Sequence, residues 1–151
     1  MKVLKLTILF LVINFSALAI GSWLMNNGPI SEWYVQLNKA PWTPDGWVFG
    51  VAWTTIMICF SVYLAYAFKD YNSKSLKLLF AIQVFLNVVW NYAFFNQHQI
   101  GLGLLIIVLL TIVVFYFFFK FNIKTLKYLL LPYMIWLCLA TSLNAYILLY
   151  N

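Results

Sequence analysis

Five stretches of the chain are almost unbroken runs of apolar residues, at about 6–25, 46–68, 78–95, 100–119 and 128–150. Each is close to or above the ~20 residues a helix needs to cross the hydrocarbon of a bilayer. The runs are continuous rather than alternating, which sets them apart from the period-two strands of a membrane barrel. The connections are short except for the first, 26–45. That segment holds Trp33, Tyr34, Trp42, Pro29, Pro41, Pro44 and two acids, Glu32 and Asp45. Long connections tend to be functional or disordered, and this aromatic content argues against disorder. The pattern predicts an all-α integral membrane protein: a single five-transmembrane-helix bundle over 1–151, with 26–45 packed as a lid on one end.

Composition agrees and narrows the class. The chain is 66% hydrophobic and 8% charged, against roughly 45–50% and about 25% for a globular soluble domain. There is too little polar surface to cover a water-exposed fold. The net charge of +6 comes from nine lysines and no arginine. Without arginine, bidentate phosphate or base recognition is disfavoured, so no nucleic-acid partner is expected. The lysines sort by side. Lys2, Lys5, Lys69, Lys74, Lys77, Lys120, Lys124 and Lys127 flank one end of the spans, and Lys39 alone flanks the other. The positive-inside rule then places the N-terminus in the cytoplasm and the first loop and C-terminus outside. The short chain favours a bacterial plasma membrane. Ala17-Leu18-Ala19 resembles a signal-peptidase site, but the apolar run continues to Met25, and an uncleaved first helix is expected.

No Asp, Glu, Lys, Arg or His falls inside any of the five spans, which argues against a charge-coupled carrier. Uncharged polar groups take their place. Gln83, Asn87 and Asn91 recur every four residues on the third span and share one face, joined by Trp90. Amides are costly in lipid, so this stripe should face the interior. Trp136, Ala140 and Asn144 repeat the spacing on the fifth span, and Asn14 lies mid-way along the first. On the second span Gly46, Gly50 and Trp53 share a face, and Gly46-x-x-x-Gly50 fits the small-residue pattern of close helix contacts. Pro132 should fall in the first turn of the last helix, where it costs little. Cys59 and Cys138 lie in apolar runs and read as interior packing residues. His98 reads as an interfacial residue. No His, Cys, Asp and Glu cluster has the spacing of a metal site.

Three ordered motifs carry a resemblance. Trp33-Tyr34 and Leu37-Asn38-Lys39-Ala40-Pro41-Trp42-Thr43-Pro44 run into Gly46, Phe49-Gly50 and Trp53. Leu86-Asn87-x-x-Trp90-Asn91-x-x-Phe94-Phe95 follows on the third span, and Leu131-Pro132-Tyr133-x-x-Trp136 with Ala140-Thr141-x-Leu143-Asn144 on the fifth. Over about 33–151 the chain resembles the tryptophan-rich sensory protein, or translocator protein (TspO/MBR, peripheral benzodiazepine receptor), family. The resemblance implies a five-helix bundle, often a homodimer, with a pocket under the first loop that takes porphyrins and synthetic isoquinoline or benzodiazepine ligands. It implies ligand-binding roles for Trp33, Tyr34, Trp42, Gly50, Trp53, Asn87, Trp90, Asn91, Trp136, Ala140 and Asn144. It also implicates the positions of Trp53 and Trp136 as catalytic in light-dependent protoporphyrin breakdown. Asn91 departs from the family, standing where a small hydroxyl residue is frequent. The family's C-terminal sterol pattern is missing, since 146–151 has no basic residue.

These residues support three readings. The first is a sensor that binds a porphyrin-like molecule, porphyrin or haem, as ligand rather than required cofactor. The second is a photo-oxidative porphyrin-degrading enzyme, and the third a facilitator of lipophilic metabolites.

Overall fold

A computed structural model describes residues 2–151. Five long helices make the bundle: α1 (Lys2–Leu24), α3 (Gly46–Asp70), α4 (Lys74–Asn91), α5 (Ile100–Lys120) and α6 (Leu131–Tyr150). The short α2 (Glu32–Gln36) lies in the first connection. All five are long and apolar enough to span a membrane. Helix α4 has only 18 residues, but a π-helical turn, Tyr92–Asn96, extends it to a spanning length. The fifth span is likewise extended, by a 3₁₀ segment at Lys124–Leu130 before α6, so α6 begins a few residues later than the hydropathy run. Pro132 sits in the first turn of α6, where no intrahelical N–H is lost.

The closest helix contacts form a ring: α1 with α3 and α4, α4 with α5, α5 with α6, and α6 back to α3. Apolar residues cover every side of these helices, because lipid accepts the same side chains as the interior. Polar and small residues therefore mark the inner faces. Asn14, Ser61, Gln83, Asn87 and Asn144 are the buried polar side chains among the described residues. The Asn14 Nδ2 donates to Ser61 Oγ at 2.8 Å, tying α1 to α3, and Ser61 donates to the Met57 carbonyl. Gln83 Nε2 donates to Tyr133 Oη at 2.8 Å, tying α4 to α6.

Close approach occurs at Gly21 and Gly103. A Cβ on Gly21 would lie 2.7 Å from Asn91 Nδ2, and one on Gly103 3.0 Å from the Phe94 ring. The expected pair Gly46 and Gly50 does the opposite. A Cβ at either meets nothing within 4 Å: Gly46 borders the cavity described below, and Gly50 is exposed. The spacing is right, but no neighbouring helix approaches closely enough at either glycine to use it. Cys138 corrects the expected interior role too: it is exposed on α6, while Cys59 is half-buried.

The two ends of the bundle differ. The end carrying most of the lysines is solid: Phe60, Tyr63, Leu64, Phe117, Leu130 and Leu137 have 0% exposure. Tyr63 Oη donates to the Phe117 carbonyl at 3.0 Å within this packing. The other end is hollow and carries the lid.

Candidate functional site: a cavity under the aromatic lid

The lid is built from local rules. Asn26 and Gly28 adopt positive φ (56° and 49°), which breaks α1 and turns the chain. Ser31 Oγ accepts from the Tyr34 N–H and caps α2. At the other end of α2, Lys39 Nζ donates to the carbonyls of Tyr34 and Val35 at 3.0 and 3.1 Å, a cation on a helix C-terminus. Aromatic edges then seat the lid. Trp33 packs on Phe94 (5.6 Å between ring centroids) and stacks on His98 (4.1 Å, 12°), and Tyr34 packs on Phe95 (5.2 Å). Burial raises the Tyr34 phenol above its ordinary pKa, so it is neutral at physiological pH.

The far side of the lid is clasped to the end of α6. Asn38 N donates to Asn151 Oδ1 at 2.8 Å, Asn38 Nδ2 to the Tyr150 carbonyl at 3.0 Å, and Asn151 Nδ2 to the Asn38 carbonyl at 3.2 Å. Trp42 Nε1 donates to Ser142 Oγ at 3.1 Å, and its ring packs edge-on against Tyr146.

Beneath the lid lies a cavity of about 500 Å³, within the roughly 300–1,000 Å³ usual for small-molecule sites. Phe49, Trp53, Trp90, Phe95, Ile107, Trp136 and Ala140 form its apolar wall, with Asn91 as an amide from α4. Tyr34, Lys39, Thr43 and Pro44 close it from the lid. The walls are rigid by mutual edge contacts: Phe49 against Trp136 at 5.1 Å, and Trp53 against Tyr133 at 5.9 Å. Trp90 lies parallel to Phe94 (5.5 Å, 6°) while its Nε1 donates to Asn144 Oδ1 at 2.9 Å, which sets the indole's angle.

Of the residues singled out from sequence, Tyr34, Trp53, Trp90, Asn91, Trp136 and Ala140 come together on this cavity. Five others stand elsewhere. Trp33 and Trp42 brace the lid from its flanks. Gly50 is exposed and does not line the cavity. Asn87 is buried, and its carbonyl accepts from Asn91 Nδ2 at 3.1 Å. Asn144 lines a side chamber of about 30 Å³ and reaches the main cavity through Trp90. Sequence reasoning missed Phe49, Phe95 and Ile107 as wall residues. The first two lie inside the quoted motifs, but as ordinary apolar residues they carry no signal of their own. Nothing marks Ile107 within the uniformly apolar α5.

Lys39 is the one ionisable cation on the lining among the described residues, and no carboxylate joins it. The lid side of the lining therefore carries a positive charge. The floor is the solid half of the bundle.

Comparison with known proteins agrees with this architecture. A profile of the TspO/MBR family matches residues 8–150. The Tryptophan-rich protein TspO of Archaeoglobus fulgidus is 31% identical over 154 aligned positions, covering 100% of this chain and 99% of that protein. Protein CrtK of Rhodobacter capsulatus is 35% identical over 118 residues, 74% of each chain. The human Translocator protein is 29% identical over 120 residues, 75% of this chain and 71% of its own. Matched over nearly its whole length, the chain belongs to the TspO/MBR family.

Proposed function

We propose that the protein is a membrane sensor or regulator that binds a tetrapyrrole, porphyrin or haem, in the cavity under the lid. The observation that carries this is the wall of three indoles, Trp53, Trp90 and Trp136, around about 500 Å³ with Lys39 at the mouth. A porphyrin is flat and aromatic with carboxylates on one edge. Indole contacts add about 0.5–1.5 kcal/mol each beyond area burial, and the carboxylates lie toward the Lys39 ammonium. Lipid surrounds the bundle, and the lysine-rich end faces the cytoplasm of a bacterial cell.

Titration with protoporphyrin in darkness should quench the tryptophan fluorescence and saturate. Trp53→Phe combined with Trp136→Phe should weaken binding at least several-fold. Unchanged affinity in that double variant would remove the pocket assignment.

A second reading is porphyrin breakdown in light and oxygen. Its support is that Trp53 and Trp136, oxidisable side chains, share the same wall. Loss of porphyrin absorbance should then require light, oxygen and both tryptophans, and equal bleaching by the double variant would sink it. A facilitator has less support, because Phe60, Tyr63 and Phe117 are fully buried on the far side of the cavity.

A further inference from the structure

The polar inventory of the cavity is lopsided. Lys39 and the indoles of Trp53, Trp90 and Trp136 can only donate hydrogen bonds. The lid hydroxyls of Tyr34 and Thr43 can do either, and Thr43 already donates to the Ala40 carbonyl at 2.7 Å. Asn91 is different. Its Nδ2 donates to the Asn87 carbonyl one turn back, at 3.1 Å. The same nitrogen sits against α1, 2.7 Å from where a Cβ on Gly21 would be. Turning the amide over would set its oxygen against the Asn87 carbonyl, so that bond fixes the orientation, while Gly21 leaves room for the amide. Oδ1 is left without a donor from the described residues, on a side chain that lines the cavity.

An acceptor without a partner in an apolar hollow discriminates ligands. A donor on the ligand satisfies it, and a ligand lacking one leaves it desolvated and unpaired. We propose that Asn91 makes the cavity selective for flat apolar heterocycles with an N–H on their outer edge, such as a lactam or an indole-type ring. The N–H groups of a closed tetrapyrrole point to its centre, so this goes beyond the tetrapyrrole reading and shares only its cavity. Gly21 and Asn87 act as positioning residues.

The test uses a matched pair of probes, carbazole and N-methylcarbazole, which differ at the N–H. Binding to the full-length protein is measured by equilibrium dialysis in one detergent, with the micelle partition of each probe subtracted. The unaltered protein should prefer carbazole by about 3- to 10-fold, the worth of one net hydrogen bond. Asn91→Leu should bring that ratio close to one, whatever it does to the absolute affinities. Asn91→Ser, whose shorter hydroxyl turns back to the helix carbonyl, should also lower it and covers the case of a leucine variant that does not fold. No preference in the unaltered protein, or the same preference after removing the amide, overturns the proposal. Protoporphyrin is titrated in parallel. Its binding without any N–H preference sinks this inference alone, and an N–H preference without protoporphyrin binding sinks the tetrapyrrole reading alone.

Discussion

At the scale of single residues, glycines show best how position decides effect. Gly50 is exposed in the second turn of α3 and a methyl group there meets nothing. Gly50→Ala should therefore stabilise the protein by about 0.5–1 kcal/mol through helix propensity alone. Gly21→Ala should go the other way, by about 1–3 kcal/mol, because its methyl overlaps the Asn91 amide. Denaturation in a mixed detergent series would read both signs. Asn14 is a milder case. Its hydrogen bond to Ser61 is one interhelical contact in lipid, where such bonds average about 0.6 kcal/mol and reach about 1.7. Asn14→Leu should cost no more than that range in the same assay, since Leu removes the donor without leaving a cavity. The stripe of Gln83, Asn87 and Asn91 was legible because an amide on the outer face is too costly. The inward face of Ala140 was legible only through its neighbours Trp136 and Asn144.

At the scale of elements, the lid matters most. A five-residue helix has no stability of its own, so α2 exists through its Ser31 cap, the Lys39 ammonium and the rings beneath it. Lys39→Met should loosen α2 and weaken protoporphyrin binding, with a smaller effect on the dimethyl ester, which carries no anionic edge. Comparing the two ligands in a fluorescence titration separates lost charge from lost lid. Asn38→Ala deletes one of the three clasp bonds to the end of α6. Exchange of bound ligand should speed up several-fold, while global stability shifts by no more than about 1.5 kcal/mol, as for one exposed hydrogen bond. Stopped-flow release checks this. The lid also has a pH limit. The phenolate of Tyr34 is disfavoured by burial, so its pKa is raised in the folded lid. The stability it contributes is complete below its ordinary pKa and lost as pH rises through the raised one. Protease cutting in the lid should increase only in strongly alkaline buffer, and Tyr34→Phe should weaken that pH dependence. The existence of a packed lid followed from its aromatic content. The α2 turn did not, because it rests on rings of another segment, and neither did the clasp, whose partners lie more than a hundred residues away along the chain.

At the scale of the whole molecule, the bundle is a cup, solid at the lysine-rich end and open under the lid. Eight lysines lie at the solid end, and under the positive-inside rule the proposed orientation has that end in the cytoplasm. A cysteine introduced as Glu32→Cys should react with an impermeant maleimide on intact cells, and one introduced as Lys124→Cys only after permeabilisation; the reverse would invert the orientation. The number of spans, the helical class and the polar stripes were determined by the sequence itself, because lipid forces every backbone group into a helix and every amide inward. Which apolar faces touch was decided only by the tertiary structure. Side chains such as Phe49, Ile107, Gly50 and Cys138 are equally at home against lipid or protein, so periodicity carries no information about them. The hollow itself is a property of five helices meeting. It exists where the indoles of α3, α4 and α6 hold the walls apart and the amide of Asn91 fits against α1, and no single segment encodes that space.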